Sequence, residues 1–297
     1  MNRSTLILVG VLAVLIFVAY LVLQKPGEQS SSTSTGEFLA VVDSLAVDRI
    51  HLKSPSLDIV LEKQGVEWYL RHPLMFRADQ ANVAQLIHQT KNLEVKNVVS
   101  SNSEKQSMFQ VDSTGTQVTL YEGGNETASF ILGKTGPTFS ETYGRRKNSN
   151  EVVLVSNMMN YVFTRSVKEW RDRSIVTIPR ETIKQLTYQF GDTTFTLEFK
   201  DSLWITGREP AQGTVVEGIL SSLVNFQGDD FIDTPPVTLP RLTATLSFAG
   251  VQLAFHYVKE TDTYMVRSSL TPQWYTVSNW RANQVLKRKK EIVQVGA

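Results

Sequence analysis

Two stretches of this chain repeat at a fixed spacing. Val83, Leu86, Ile87, Thr90 and Leu93 follow the rhythm of one helical face, and adding 133 to each number lands on Val216, Ile219, Leu220, Leu223 and Phe226 without a gap. Upstream of both sets lie short segments of period-two alternation, the mark of half-buried strands. In the first copy these are Ile50–Leu52, Leu57–Lys63 and Glu67–Leu70, the last bearing Trp68; in the second they are Ile183–Leu186, Phe195–Lys200 and Leu203–Ile205, the last bearing Trp204. Downstream, Glu151–Asn157 aligns with Gln273–Asn279 at an offset of 122, and Val-Ser-Asn is identical in both. Self-similarity in this order predicts two related units.

The expected fold class is α+β. It comprises an N-terminal transmembrane helix and then two tandem units, 43–175 and 176–297, of antiparallel strands with one or two helices packed on a face. Asp79 is placed to cap the first main helix, and Thr214 with Glu217 forms a capping box for the second. Basic amphipathic helices are expected after each Val-Ser-Asn, over 157–168 and 279–291. Tyr143 and Tyr264 fall at nearly equivalent hairpin positions.

The run Leu6–Leu23 carries no charge, and with Thr5 and Gln24 it reaches the roughly 20 residues that cross a bilayer core. It is longer than a signal-peptide core and ends without a small-x-small cleavage site. The expectation is a single-pass anchor at 5–24, with residues 1–4 inside and a flexible Ser/Thr-rich tether at 25–42. Arg3 on the short N-terminal side favours that side as cytoplasmic, which places the remainder outside.

The composition removes several function classes. Thirty Lys and Arg balance 29 Asp and Glu, without the basic excess of a nucleic-acid binder. There is no cysteine, so disulfides, cysteine metal sites and thiol catalysis are excluded. The four histidines lack metal spacing, and His256 is read on the wet face of a strand. Gly133-Lys134-Thr135 lacks the earlier glycine of a phosphate loop and reads as a turn; Gly228–Asp233, with three aspartates, reads as a solvated turn. No Gly-x-Ser-x-Gly elbow is present. No catalytic residue, cofactor or metal site is assigned, and the chain is read as not an enzyme.

Two clusters have both a structural and a functional reading. Trp170-Arg171-Asp172-Arg173 lies at the handover between the copies: it either braces that junction or supplies the Trp and Arg of a partner hot spot. Arg281 and Lys287-Arg288-Lys289-Lys290 make the last helix basic, which suits either a helix C-terminus or contact with anionic headgroups or an acidic partner. The candidate partner contacts are therefore Trp170, Arg171, Arg173, Arg281, Lys287, Arg288, Lys289 and Lys290.

The order of features resembles the bacterial family catalogued as domain of unknown function 4340. The residues that carry the resemblance are the N-terminal anchor, the Trp68 strand before the 79–93 helix, Phe130-Ile131-Leu132-Gly133-Lys134, Tyr143-Gly144-Arg145, Val152–Val155 and Trp170–Arg173. It implies a single-pass envelope protein of the bacterial inner membrane with a periplasmic domain, associated with ABC transporters of the gliding-motility type. Its partners would be the permease and ATPase subunits, and the bilayer through the N-terminal helix. On that basis the expected function is a non-catalytic accessory or scaffold of an export complex. The alternative is a receptor for an envelope ligand or polymer that uses the groove between the units.

Overall fold

The computed structural model describes Val14, Phe17, residues 36–156 and residues 160–293. The chain divides into a first unit ending at Trp170 and a second beginning at Arg171. In the first unit the elements run β1 (Val47–Ser54), β2 (Leu57–Gln64), β3 (Glu67–His72), β4 (Phe76–Arg77), α1 (Gln80–Lys91), β5 (Val95–Ser100), β6 (Thr116–Glu122), β7 (Asn125–Thr135), β8 (Glu141–Arg146), β9 (Val152–Ser156) and α2 (Val167–Trp170). In the second they run β10 (Ser174–Thr177), β11 (Gln185–Phe190), β12 (Thr193–Lys200), β13 (Leu203–Thr206), β14 (Glu209–Pro210), α3 (Gly213–Val224), β15 (Asn225–Gln227), β16 (Asp230–Ile232), β17 (Leu242–Phe248), β18 (Val251–Val258), β19 (Thr263–Ser268), β20 (Trp274–Ser278), α4 (Asn279–Val285) and α5 (Lys289–Ile292).

Each unit contains a nine-stranded sheet, and the two have the same order. The first reads β4-β3-β2-β1-β6-β7-β8-β9-β5, and the second β14-β13-β12-β11-β17-β18-β19-β20-β16. The second unit adds a two-stranded sheet, β10-β15. Register confirms the correspondence strand by strand: Ile50 faces Leu61 in the first unit as Leu186 faces Leu197 in the second, and Val118 faces Phe130 as Leu246 faces Leu253.

The α+β class is corrected: the fold is mainly β, built on large antiparallel sheets. Each sheet is crossed by one 12-residue helix, α1 or α3. The helix expected at 279–291 breaks after Val285, where Leu286 and Arg288 are extended. Leu286 is buried, and the Arg288 guanidinium stacks 3.8 Å from the Phe190 ring, so packing outweighs continuation of the helix. Of the 157–168 helix, residues 157–159 lie outside the described residues, Asn160–Thr164 is a 3-10 turn, and only Val167–Trp170 is α-helical. The transmembrane helix at 5–24 also lies outside the described residues, apart from Val14 and Phe17. Among those described, no helix is long and apolar enough to cross a membrane, so the fold lends no support to that helix. Within the expected tether, Leu39, Ala40 and Val42 are buried in the first core, and the Leu39 amide donates to the Leu93 carbonyl.

The repeated apolar stripe is buried in both copies, although Leu93 falls beyond the end of α1 and Phe226 lies in β15. Val83, Leu86, Ile87, Thr90 and Leu93 are buried, as are Val216, Ile219, Leu220, Leu223 and Phe226. Asp79 caps α1 by accepting the Asn82 amide at 2.9 Å. The Thr214–Glu217 box is corrected: α3 starts two residues earlier, with Gln212 as its N-cap and no side-chain cap. Tyr143 and Tyr264 are one residue out of step, since Tyr143 faces Leu154 while Met265 faces Thr276. That slip puts the two rings on opposite faces of their sheets.

The outer faces are covered differently. In the first unit, residues 101–115 lay Val111 and Phe109 over Ile131, Tyr143 and Val152. Gly133 is in β7, not in a turn. A Cβ there would lie 2.1 Å from the Phe109 carbonyl oxygen, so glycine is what lets the covering segment approach.

In the second unit, buried Tyr188 donates to the Val285 carbonyl at 3.0 Å, satisfying an end group of α4. Burial pushes this phenol far above its ordinary value. Tyr188→Phe leaves that carbonyl without its donor and is expected to cost about 1–3 kcal/mol. The check is a lowered thermal midpoint by circular dichroism.

Candidate functional site

Beside α1, a cleft of about 580 Å³ opens against the β2–β3 hairpin. Trp68, Ala84 and Ile87 provide apolar lining, and Val66 at the hairpin tip is 89% exposed. Lys63, His88 and Lys91 surround it, with Ser44, Gln80 and Asn92 completing the walls.

Strand alternation explains why this cleft is basic. Lys63 and Trp68 are cross-strand partners and share the face that α1 covers. Their neighbours Glu62 and Glu67 point to the other face, where Glu62 pairs with Arg71 at 2.8 Å and Glu67 with Arg77 at 2.9 Å. The hydrogen bonds from Arg77 and Tyr69 hold the Glu67 carboxyl below its usual range. Asp43, next to Ser44, accepts the Leu45 amide at 3.0 Å. Lys63 and Lys91 are thus left with no ion-pair partner among the described residues.

The wall itself is fixed. The Gln80 side chain accepts the Trp68 amide at 2.8 Å and donates to the Trp68 carbonyl at 3.0 Å and the Ala78 carbonyl at 2.7 Å. This clamp holds the indole strand against the start of α1.

The same corner of the second unit is different. Phe199 replaces Lys63 as the cross-strand partner of the tryptophan, and its ring centroid lies 5.5 Å from that of Trp204. The Lys184 ammonium sits 5.2 Å from the Phe199 ring. The positions matching His88 and Lys91 are Ser221 and Val224, both uncharged. Phe199, 42% exposed, thus stands at the position of Lys63, and the basic side chains around the first recess have no counterpart at these positions.

The residues singled out from sequence take different places within their own units. Trp170 is fully buried in the first core, with the Arg165 guanidinium 5.5 Å from its ring, and its indole N–H has no hydrogen-bond partner among the described residues. In the second unit the Arg171 guanidinium donates to both Asp233 oxygens at 3.0 and 2.7 Å and lies 3.8 Å from the Phe231 ring. Arg173 is exposed, and its carbonyl accepts the Gly228 amide. Arg281 donates to Asp229 at 3.0 and 2.7 Å. The C-terminal basic run disperses: Lys289 pairs with Glu209 at 2.5 Å, Arg288 covers Phe190, Lys290 is exposed, and half-buried Lys287 lines a shallow recess with Glu291.

Two other readings are corrected. The 228–233 segment is not a free turn, since Asp229 and Asp233 anchor arginines and Asp230 opens β16. His256 is not on a wet face; it is buried, its Nδ1 lies 2.7 Å from the Pro240 carbonyl oxygen, and its ring meets Trp274 edge-on. Among the described residues, no group of three or more His, Cys, Asp or Glu is placed to hold a metal ion.

A family model described as "Domain of unknown function (DUF4340)" matches residues 68–244. The chain belongs to this family. The match begins at the cleft tryptophan and ends within β17, so the DUF4340 pattern spans parts of both units. Neither curated proteins nor solved structures yield a match. The cleft residues Lys63, His88 and Lys91 escape single-motif inspection of this DUF4340 chain. The signal that exposes them is the swap of Lys63 for Phe199 once the two copies are set in register.

Asp229 offers a pH test of the second unit. Burial pushes its carboxyl up, but hydrogen bonds from Arg281 and Ser278 outweigh that and hold it below its ordinary value. A carboxyl depressed in the folded state contributes stability above its ordinary pKa and loses it as pH falls through the folded value. Asp229→Asn is expected to lower stability at neutral pH by about 1 kcal/mol and to flatten the acid-side decline in melting temperature.

Proposed function

We propose that this protein is a non-enzymatic accessory or scaffold of an ABC-type transport complex in the bacterial envelope, binding its partners from the extracytoplasmic side. The observation that carries the binding role is the cleft beside Trp68. A partly apolar recess within the usual size range of binding pockets has two lysines without a carboxylate ion-pair partner among the described residues. The duplicated scaffold supports it, because Lys63, His88 and Lys91 of the first copy are replaced by Phe199, Ser221 and Val224 at the matching positions of the second. The apolar run Leu6–Leu23 supports attachment at the inner membrane, and the near balance of charge argues against a nucleic-acid partner. The transporter assignment rests on the family resemblance.

A mild-detergent pull-down of the tagged full chain from native membranes, read by mass spectrometry, tests this. Permease and ATPase subunits are expected at near-stoichiometric yield. Recovery of the protein alone, from membranes where it is abundant, contradicts the proposal.

A further inference from the structure

We infer that the cleft beside Trp68 receives an acidic peptide segment of a partner protein, anchored by one apolar side chain. This deepens the binding role proposed above and rests on it.

Three features define the ligand. The first is charge: Lys63, His88 and Lys91 surround the recess, no acidic residue lines it, and the adjacent carboxylates of Asp43, Glu62 and Glu67 are engaged elsewhere. Cations left without an internal partner favour an incoming carboxylate and disfavour a basic segment. The second is the apolar lining of Val66, Trp68, Ala84 and Ile87, which suits a leucine-sized or aromatic side chain. The third is the second copy, where an apolar ring packs beside the equivalent tryptophan: Phe199 takes the position of Lys63, with its ring centroid 5.5 Å from that of Trp204.

The comparison also provides a conservative way to close the cleft. Lys63→Phe introduces the residue that the second unit already carries at this place. It is expected to seat against Trp68 and to leave the fold intact.

The experiment uses the full chain in detergent micelles and fluorescence polarisation with a fluorescein-labelled pentapeptide, one leucine flanked by two glutamates on each side. Saturable binding is expected. Replacing the leucine by serine, or the glutamates by lysines, is expected to weaken it at least about tenfold. Lys63→Phe is expected to weaken it by a similar factor with an unchanged thermal midpoint, whereas Phe199→Lys leaves it unaltered. The inference is overturned by absence of saturable binding up to about 1 mM, by equal binding of the lysine peptide, or by full binding to Lys63→Phe. Binding to phosphatidylglycerol vesicles without peptide binding also overturns it and identifies a lipid surface instead. The two proposals separate in the pull-down. If wild-type and Lys63→Phe both recover transporter subunits while the peptide does not bind, the ligand inference falls and the accessory role stands. If the peptide binds but no subunits are recovered, the accessory role falls.

Discussion

Two backbone hydrogen bonds at the start of the main helix organise each unit. In the first, the Ala78 amide donates to the Trp68 carbonyl at 2.9 Å and the Asp79 amide to the Trp170 carbonyl at 2.8 Å. In the second, the Ala211 amide donates to the Trp204 carbonyl at 2.9 Å and the Gln212 amide to the Ile292 carbonyl at 2.8 Å. The pair ties three distant parts of the chain together: the tryptophan strand, the helix entry and the last turn of the unit. Its second bond uses the N-cap amide, which a helix start leaves without an internal partner. Once the helix is fixed there, its apolar stripe can lie only along the sheet, and the cleft beside Trp68 follows from what that stripe leaves uncovered.

The same constraint explains why Trp170 lies in the core of the first unit. It occupies the position that Ile292 holds in the second unit, and both side chains are fully buried. A buried residue whose carbonyl closes the helix start is a closing element of the core, whatever its chemical suitability for an interface. The two copies therefore share their interior and differ at their surface. A longer covering segment with Gly133 beneath it marks the first outer face, and an open basic recess marks the first helix flank.

Much of the scaffold was legible in the chain. The stripe from Val83 to Leu93 and its echo from Val216 to Phe226 located both helices, because burial on one helical face leaves a period that survives divergence. The strands were legible for the same reason at period two. The excess of helix came from reading amphipathic, basic stretches near the unit ends as continuous; tertiary contacts of Leu286 and Arg288 interrupt one of them. Pairings across long separations were not legible. Asp233 with Arg171 and Asp229 with Arg281 depend on register, which local pattern does not state. The cleft was hidden likewise, since Lys63 and His88 become neighbours only when α1 lies on the sheet.

The central claim is that two copies of one fold have divided their roles, with binding kept at the Trp68 corner of the first. Hydrogen–deuterium exchange of the full chain, with and without the acidic leucine peptide, tests it most directly. The account predicts added protection over residues 63–68 and 84–92 and none over 199–204 or 217–225. Protection confined to the second unit, or none in either, would contradict it.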